Sequence, residues 1–416
     1  DWKPYIFRTN DYGESWDLLT DGANGIPGDH WVRVVREDDV QPGLLYAGTE
    51  FGAFVSFDDG NRWQPLQMNL PATPVTDMKV HQGDLVLSTQ GRSFWVLDDL
   101  TPLRELAVDL DEGRMGANDA PAVLLFTPRD VARGRASPPM SEEDLTLPDP
   151  LPEGALLNYA VIGDTEDLEL VILDSEARTV ASWRQSPGGR GLAADPGFHR
   201  MAWGLRYQED GGIKAPPGDY LVRMSWNGGS EERSFRVLPN PQDPGITQAD
   251  YEEQFRFSWE VQETSQAIRE SLSRVRDALD QAEAIVERAT EAERDAGRLP
   301  ELLESMKAQL APMEAELTAV DDPEVPTGER RPKGGGLDRE YSTLFYFVNS
   351  AGGYGAGGAE GRPTAGAYER KQDLDQIWEP LERRLQDTLQ SEVATFNAEV
   401  ARLGLEGIVL GEGGED

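Results

Sequence analysis

One eight-residue pattern occurs twice within the first 63 residues of this chain. Thr9-Asn10-Asp11-Tyr12-Gly13-Glu14-Ser15-Trp16 and Ser56-Phe57-Asp58-Asp59-Gly60-Asn61-Arg62-Trp63 both read Ser/Thr-x-Asp-x-Gly-x-x-Trp, and the copies start 47 residues apart. Each part of the pattern has a task in a tight turn. The hydroxyl and the carboxylate bind turn amides, Gly takes a positive φ, and Trp folds back over the turn. Thr9, Asp11, Gly13, Trp16, Ser56, Asp58, Gly60 and Trp63 are therefore read as a structural set. A carboxylate already committed to its own turn is poorly placed for catalysis.

The spacing is close to the period of one four-stranded β-propeller blade. The surrounding sequence is strand-like, with short apolar segments at 30–37, 44–48, 53–57, 78–80, 85–87 and 94–97. Pro-Gly, Asp-Gly and Gln-Gly turns separate them. Residues 1–107 thus read as the end of one blade, one whole blade and most of a third. A closed propeller needs more blades than that, so upstream blades are required. The chain also opens at Asp1, without Met or a leader, and the true N-terminus is expected upstream.

Residues 108–150 read as a linker, polar at 109–113 and 137–143, with Val123-Leu124-Leu125-Phe126 as one docking strand. Residues 151–240 read as a small β-sandwich. Leu168 to Leu173 alternates into an Asp174-Ser175-Glu176-Ala177 hairpin turn, and Thr179 to Trp183 returns. Residues 241–416 turn helical. Thr247 and Asp250 make a capping-box variant. Ile268, Leu272, Val275, Leu279, Ala282 and Val286 form a heptad seam, and Leu381, Leu385, Leu389, Val393, Phe396, Val400 and Leu403 mark a second long amphipathic helix. A shorter helix spans 299–320, with Pro312 expected to kink or break it. A fourth, aromatic segment covers 341–348. Loops are expected at 323–336 and in the Gly-rich stretch 352–366. Together these predict an antiparallel helical bundle.

Composition narrows the function. A net charge of −37 argues against nucleic acid and anionic membrane as partners, since both attract basic patches. The absence of cysteine excludes disulfides, thiolate catalysis and Cys-ligated zinc. No stretch reaches the roughly 18 apolar residues of a membrane span. His30, His81 and His199 are scattered and form no metal-spaced pair, so neither a metal nor a cofactor is expected. Gly352 to Gly358 lacks both the preceding strand and the Lys-Ser/Thr of a phosphate loop.

The two repeats resemble the Asp-box, or BNR repeat, of sialidase-like and sortilin-like propellers. Lys3-Pro4-Tyr5-Ile6, Gly43 to Gly52 and Gly91 to Asp99 resemble the end of the sortilin-type (VPS10-like) BNR propeller found in large bacterial proteins, often labelled glycosyl hydrolases. The Trp203 strand followed by Pro217-Gly218-Asp219-Tyr220 resembles FlgD-like and fibronectin-type modules. The resemblance implies a multidomain chain of propeller blades, sandwich and helical tail. It also implies a protein that is secreted or periplasmic and a propeller that binds ligand. It does not by itself imply a reaction.

Blade geometry places the candidate site. In a four-stranded meander the Asp-boxes join strands three and four. Thr49-Glu50-Phe51-Gly52 and Thr89-Gln90-Gly91-Arg92 join strands two and three, on the opposite face, with the inter-blade segments Gly28-Asp29-His30 and Thr73-Pro74. Glu50, Gln90, Arg92 and His30 are the ligand-face candidates. A sialidase needs an arginine cluster with a Tyr/Glu nucleophile pair, and a glycosidase generally needs two carboxylates. Of these only Arg92 is supplied, as a cluster member. The expected function is extracytoplasmic binding of a glycan or peptide, with the sandwich and helices as accessory modules. The alternatives are a glycoside hydrolase with catalytic residues mostly upstream, and a scaffold acting through the helical tail. Asp98-Asp99, at the end of a strand, is read as a turn cap with Ca²⁺ binding as its alternative.

Overall fold

The computed structural model describes residues 2–114, 121–134, 154–163, 165–186, 191–207, 212–291, 296–318, 336–349 and 360–410. The chain divides into two compact units, Asp1–Glu209 with Gly218–Leu238, and Asp210–Pro217 with Pro239–Asp416.

The first unit opens with three antiparallel sheets. β1 (Phe7–Arg8) pairs with β2 (Asp17–Leu18). β3 (Val32–Glu37), β4 (Leu45–Thr49), β5 (Gly52–Ser56) and β6 (Gln64–Pro65) form a four-stranded meander in chain order. β7 (Val75–His81), β8 (Asp84–Thr89) and β9 (Phe94–Leu97) form a three-stranded one. β4 and β5 are buried along their whole length, as central strands covered on both faces must be. Period-two alternation then sorts their side chains into two cores. Leu45, Ala47 and Phe54 join Ile6, Ile26 and Trp63 on one face. Tyr46, Ala53 and Val55 join Val34, Val75, Met78, Leu85 and Leu87 on the other. The four-stranded sheet is therefore stacked between the other two.

Helix α1 (Thr101–Asp111) follows directly, with Pro at its first turn. Leu100, Leu103 and Ala107 sit on the second of these cores, and the helix crosses the expected start of the linker at residue 108. The polar run at 109–113 is its solvated end, closed by Gly113 at φ 72. Arg104 reaches from α1 to Asp38 at 2.9 Å and Asp39 at 2.8 Å. The Asp38 carboxylate is fully buried and also accepts from Val40 N, Gln41 N and the Tyr46 hydroxyl. Residues 135–150 of the expected linker lie outside the described residues.

The rest of this unit is two sheets. β10 (Val123–Leu125), β12 (Ala155–Val161) and β15 (Gly197–Trp203) make a three-stranded sheet in the order β10-β12-β15. β11 (Val131–Ala132), β13 (Glu169–Leu173), β14 (Thr179–Arg184), β16 (Gly218–Trp226) and β17 (Gly229–Leu238) make a five-stranded one in the order β11-β17-β16-β13-β14. Trp203 of the first lies 5.3 Å from Tyr220 and 6.0 Å from Phe235 of the second, ring to ring, so the sheets share a core. The expected hairpin turn is present, with Asp174 Oδ1 accepting from Glu176 N and Arg178 N. These sheets are not separate from the first three. Asn158 Nδ2 donates to Asp99 Oδ2 at 3.2 Å, and Arg200 Nη2 donates to Asp98 O at 2.8 Å.

The second unit is helical. α2 (Gln248–Glu291) begins with the expected reciprocal cap, Thr247 N donating to Asp250 Oδ2 and Asp250 N to Thr247 Oγ1. α3 (Leu299–Leu317) runs unbroken through Pro312, because Leu310, Met313 and Leu317 on either side of it are all buried in the core. α4 (Leu337–Val348) and α5 (Ala365–Arg402) complete the set. Arg276 pairs with Glu314 and Arg269 with Asp338, so α3 and α4 both run antiparallel to α2. Glu253 accepts from the Tyr368 hydroxyl and Lys371 lies 4.0 Å from Glu260, so α5 runs parallel to α2. The bundle is thus up-down-up, its descending member made of α3 and then α4, and the two long helices are parallel rather than antiparallel. Both predicted seams pack into one core. Segment 212–217, carried between β15 and β16 in the sequence, belongs to this unit. Ile213 and Ala215 are buried, Lys214 pairs with Glu360, and Asn349 bonds Lys214 N and Gly212 O. The loop at 323–335 and Gly352 to Gly358 lie outside the described residues, and Gly336 and Thr364 cap α4 and α5. No helix among the described residues is long and apolar enough to cross a membrane.

The Asp38 carboxyl is held below the usual carboxylate range: burial pushes it up, but the Arg104 bond and the amides of Gln41 and Val40 outweigh that. A depressed carboxyl stabilises the fold above its unfolded-state pKa, and that contribution is lost as pH falls through the folded value. Asp38→Asn should cost about 3 kcal/mol at neutral pH and flatten the loss of stability on acidification. Urea titrations showing the same acid limb in both proteins would contradict the assignment. In the bundle, Phe396→Ala should cost about 3–5 kcal/mol by urea unfolding followed at 222 nm, about the helix band.

Candidate functional site

The two Asp-box turns are built from the same bonds. Thr9 Oγ1 donates to Asp11 Oδ1 at 2.8 Å and accepts from Gly13 N at 2.7 Å, while Asp11 Oδ1 accepts from Ser15 N at 2.9 Å. Ser56 Oγ, Asp58 Oδ1, Gly60 N and Arg62 N repeat this set at 2.9, 2.9 and 2.8 Å. The left-handed residues match as well: Tyr12 and Gly13 in one copy, Asp59 and Gly60 in the other. The Ser15 hydroxyl and amide, with Thr9, draw the Asp11 carboxyl down to about 2. A carboxylate so stabilised as the anion is not a proton donor near neutrality.

The tryptophans differ. Trp63 is 3% exposed, inside the core shared by the first two sheets, but Trp16 is 59% exposed. Trp16 does lie over Gly13, where a Cβ would stand 3.7 Å from its ring. Its outer face is open, whereas Trp63 packs among Ile6, Ile26, Leu45 and Phe54, and its amide donates to Asn24 O at 2.8 Å. The two copies thus share their turn bonds, and only Trp63 is buried.

Both Asp-boxes stand at the same end of the stacked sheets. Arg8 Nη1 donates to Asp59 O at 3.1 Å, and Asn24 Nδ2 to Asn61 O at 3.2 Å. The candidate ligand loops gather at the other end. Val75, at the start of β7, packs on Gly48 and pairs with Thr89, which sets the loop after Thr49 beside the loop after Thr89. The two loops are closed alike: Thr49 Oγ1 donates to Gly52 O at 3.0 Å and Thr89 Oγ1 to Ser93 O at 2.7 Å. Register from these threonines sets Glu50 opposite Gln90. Arg92 falls in the longer second loop, so it is not the equivalent of Glu50.

Gln90 N donates to Pro74 O at 2.9 Å, which ties this loop to the segment entering β7. Arg92 is exposed, and its carbonyl accepts from Trp95 Nε1 at 2.8 Å. Glu50 is not paired with Arg92. It accepts from Arg33 Nε at 2.7 Å. His30 Nδ1 lies 2.9 Å from Asp29 Oδ1, and its ring stands 4.6 Å from Phe51. Trp31 lies 5.9 Å from Phe51 and 4.6 Å from Trp2. The four candidates thus occupy one end, and Glu50 and His30 share a cluster with Arg33, Trp31 and Phe51.

Arg33 escaped sequence reasoning because its aim depends on a bulge. The β3–β4 register steps from Val32↔Thr49 to Val34↔Gly48, leaving Arg33 as the extra residue turned toward Glu50. The β7–β8 register steps in the same place, from Val75↔Thr89 to Asp77↔Ser88, leaving Thr76 in the position of Arg33. Thr76 Oγ1 donates to Ser88 O at 3.1 Å. Only the placement of Trp31 and Phe51 beside the candidate residues was available as a signal.

Asp98 and Asp99 are committed to the joint between the sheets. Asp99 is buried, and its carboxylate accepts from Thr101 N and Asn158 Nδ2. Burial and the nearby Asp84 raise the Asp98 carboxyl. Among the described residues no group of three His, Cys, Asp or Glu side chains is arranged to hold a metal ion.

No protein-family model matches this chain, and no curated protein matches it. Among solved structures, CopC from Methylosinus trichosporium OB3b is 16% identical over 28% of this chain and 94% of that one, with a TM-score of 0.16. The extracellular domain of BT4673 from B. thetaiotaomicron aligns in two structures, at 10% and 11% identity and TM-scores of 0.19 and 0.17. These cover 57% and 58% of this chain but only 29% and 34% of theirs. Likenesses at these TM-scores bear on neither fold nor function.

The Asp-box tryptophans give a direct check. Trp63→Ala should cost about 3–5 kcal/mol and Trp16→Ala less than about 1 kcal/mol, measured by chemical denaturation. Equal losses in the two variants would contradict the difference in burial.

Proposed function

We propose that the three stacked sheets of residues 2–97 are successive blades of a β-propeller of the sortilin-like BNR class. On this reading the protein works outside the cytoplasm and binds a glycan or a peptide at the end carrying Glu50, Gln90, Arg92 and His30. Repetition carries the reading. The second and third sheets share a bulge at the same step of their first strand pair and a threonine-closed turn between their second and third strands. The first and second share the Asp-box turn bond for bond. Units repeated at this spacing and stacked face to face are what a propeller requires. The remaining blades would come from upstream residues, as would the inner strands of the first blade and the fourth strand of the last.

The two following sheets suit a fibronectin- or FlgD-like spacer, and the helical unit an accessory module. Binding is favoured over hydrolysis because Glu50, the carboxylate carried on these two loops, is held by Arg33 rather than set opposite a second acid. In the full-length protein, Glu50→Ala and Arg92→Ala should each weaken binding on glycan arrays or in peptide pulldowns by roughly tenfold, with melting unchanged. Undiminished binding in both variants would move the site elsewhere.

A further inference from the structure

We propose that Trp31, Phe51 and Trp2 form a stacking platform for a neutral oligosaccharide, with the Arg33–Glu50 pair as its polar rim. The proposal rests on the reading of this end as the ligand face and names the ligand class. Trp2 is 70% exposed and Phe51 43% exposed, while Trp31 is part-buried and wedged between them. The rings meet at 45° and 71°, which makes a stepped surface rather than a single plane. Their seats are fixed by the backbone: Glu50 N donates to Trp31 O at 3.2 Å, and Phe51 N to Thr49 Oγ1 at 3.2 Å. Contiguous exposed aromatic surface on a chain of net charge −37 is costly to keep solvated and marks a partner.

The chemistry of the cluster selects the partner. A pyranose has apolar C–H faces and a rim of hydroxyls that both donate and accept. An aromatic step bordered by a guanidinium and a carboxylate offers a surface for each. The ion pair is self-neutralised, with Arg33 33% and Glu50 19% exposed at the side chain, so it leaves no excess positive charge for a sialic or uronic acid. The acidic surface as a whole would repel such a ligand. A stepped platform suits consecutive sugar units better than one isolated ring.

The test uses the full-length protein with cellohexaose, xylohexaose and mannohexaose as neutral probes, and a sialylated oligosaccharide and a mixed peptide library as contrasts. Calorimetry should show binding of at least one neutral probe. Trp31→Ala and Trp2→Ala should each weaken it by roughly tenfold, and Trp16→Ala at the other end should stay within about twofold. Trp2 is exposed enough that its variant reports on binding even if Trp31→Ala melts early. Neutral binding that survives both variants would overturn the platform. So would failure of the wild type to bind any neutral probe. If the sialylated glycan or a peptide binds instead and is lost in Glu50→Ala or Arg92→Ala, the ligand face stands and the neutral-glycan assignment falls.

Discussion

The stacking of the second sheet on the third depends on the absence of one side chain. A Cβ at Gly48 would stand 2.7 Å from Val34 Cγ1 and 2.7 Å from Val75 Cγ1, closer than real Cβ contacts allow. Only glycine lets β4 pass between the first strand of its own sheet and the first strand of the next. That close approach joins Val34, Tyr46, Val55, Val75 and Met78 in one core. It also fixes which ends of the two sheets are adjacent. Strand alternation then does the sorting: turns from second to third strands fall at one end and Asp-box turns at the other. The candidate site is therefore a by-product of packing, and its residues come together without being close in sequence.

Two classes of polar residue are kept apart by this arrangement. At the Asp-box end the carboxylates are spent on local amides and hydroxyls, which explains why Asp11 titrates so low and why neither box is free for chemistry. At the other end a single bulge aims Arg33 at Glu50, with Trp31 two residues before the arginine and Phe51 next to the glutamate. Bulges commonly re-aim one side chain without disturbing the rest of a sheet. The matching bulge in the third sheet carries Thr76, so the same backbone device presents different chemistry in successive repeats.

Much of this was legible in the chain. The repeated Asp-box, its spacing and the flanking alternation predict the two-, four- and three-stranded sheets and the end to which each loop belongs. The 174–177 hairpin, the Thr247–Asp250 cap and both helical seams were legible for the same reason, since each depends on local bonding or on period. What was hidden depends on tertiary placement. Arg104 and Asp38 are far apart in sequence, and α1 straddles the expected boundary between blades and linker at residue 108, with Leu103 and Ala107 finding the core. Trp16 and Trp63 occupy the same place in one motif, and only the presence of a covering neighbour separates them. The parallel course of α2 and α5 follows from the interruption of the descending helix, which periodicity does not report. Segment 212–217 belongs to the helical unit because Ile213, Lys214 and Ala215 are buried there, although it lies within the span 151–240 read as the sandwich.

The repeats stack so that the Asp-boxes share one end and the candidate ligand loops the other. The chain has no cysteine, so introduced cysteines label uniquely. Spin labels on the exposed positions Asn10, Asp29, Asn61 and Arg92 would be measured in pairs by electron–electron double resonance. This arrangement gives short distances for Asn10 with Asn61 and for Asp29 with Arg92, and longer ones for Asn61 with Arg92 and for Asn10 with Arg92. A short Asn61–Arg92 distance together with a long Asp29–Arg92 distance would contradict it.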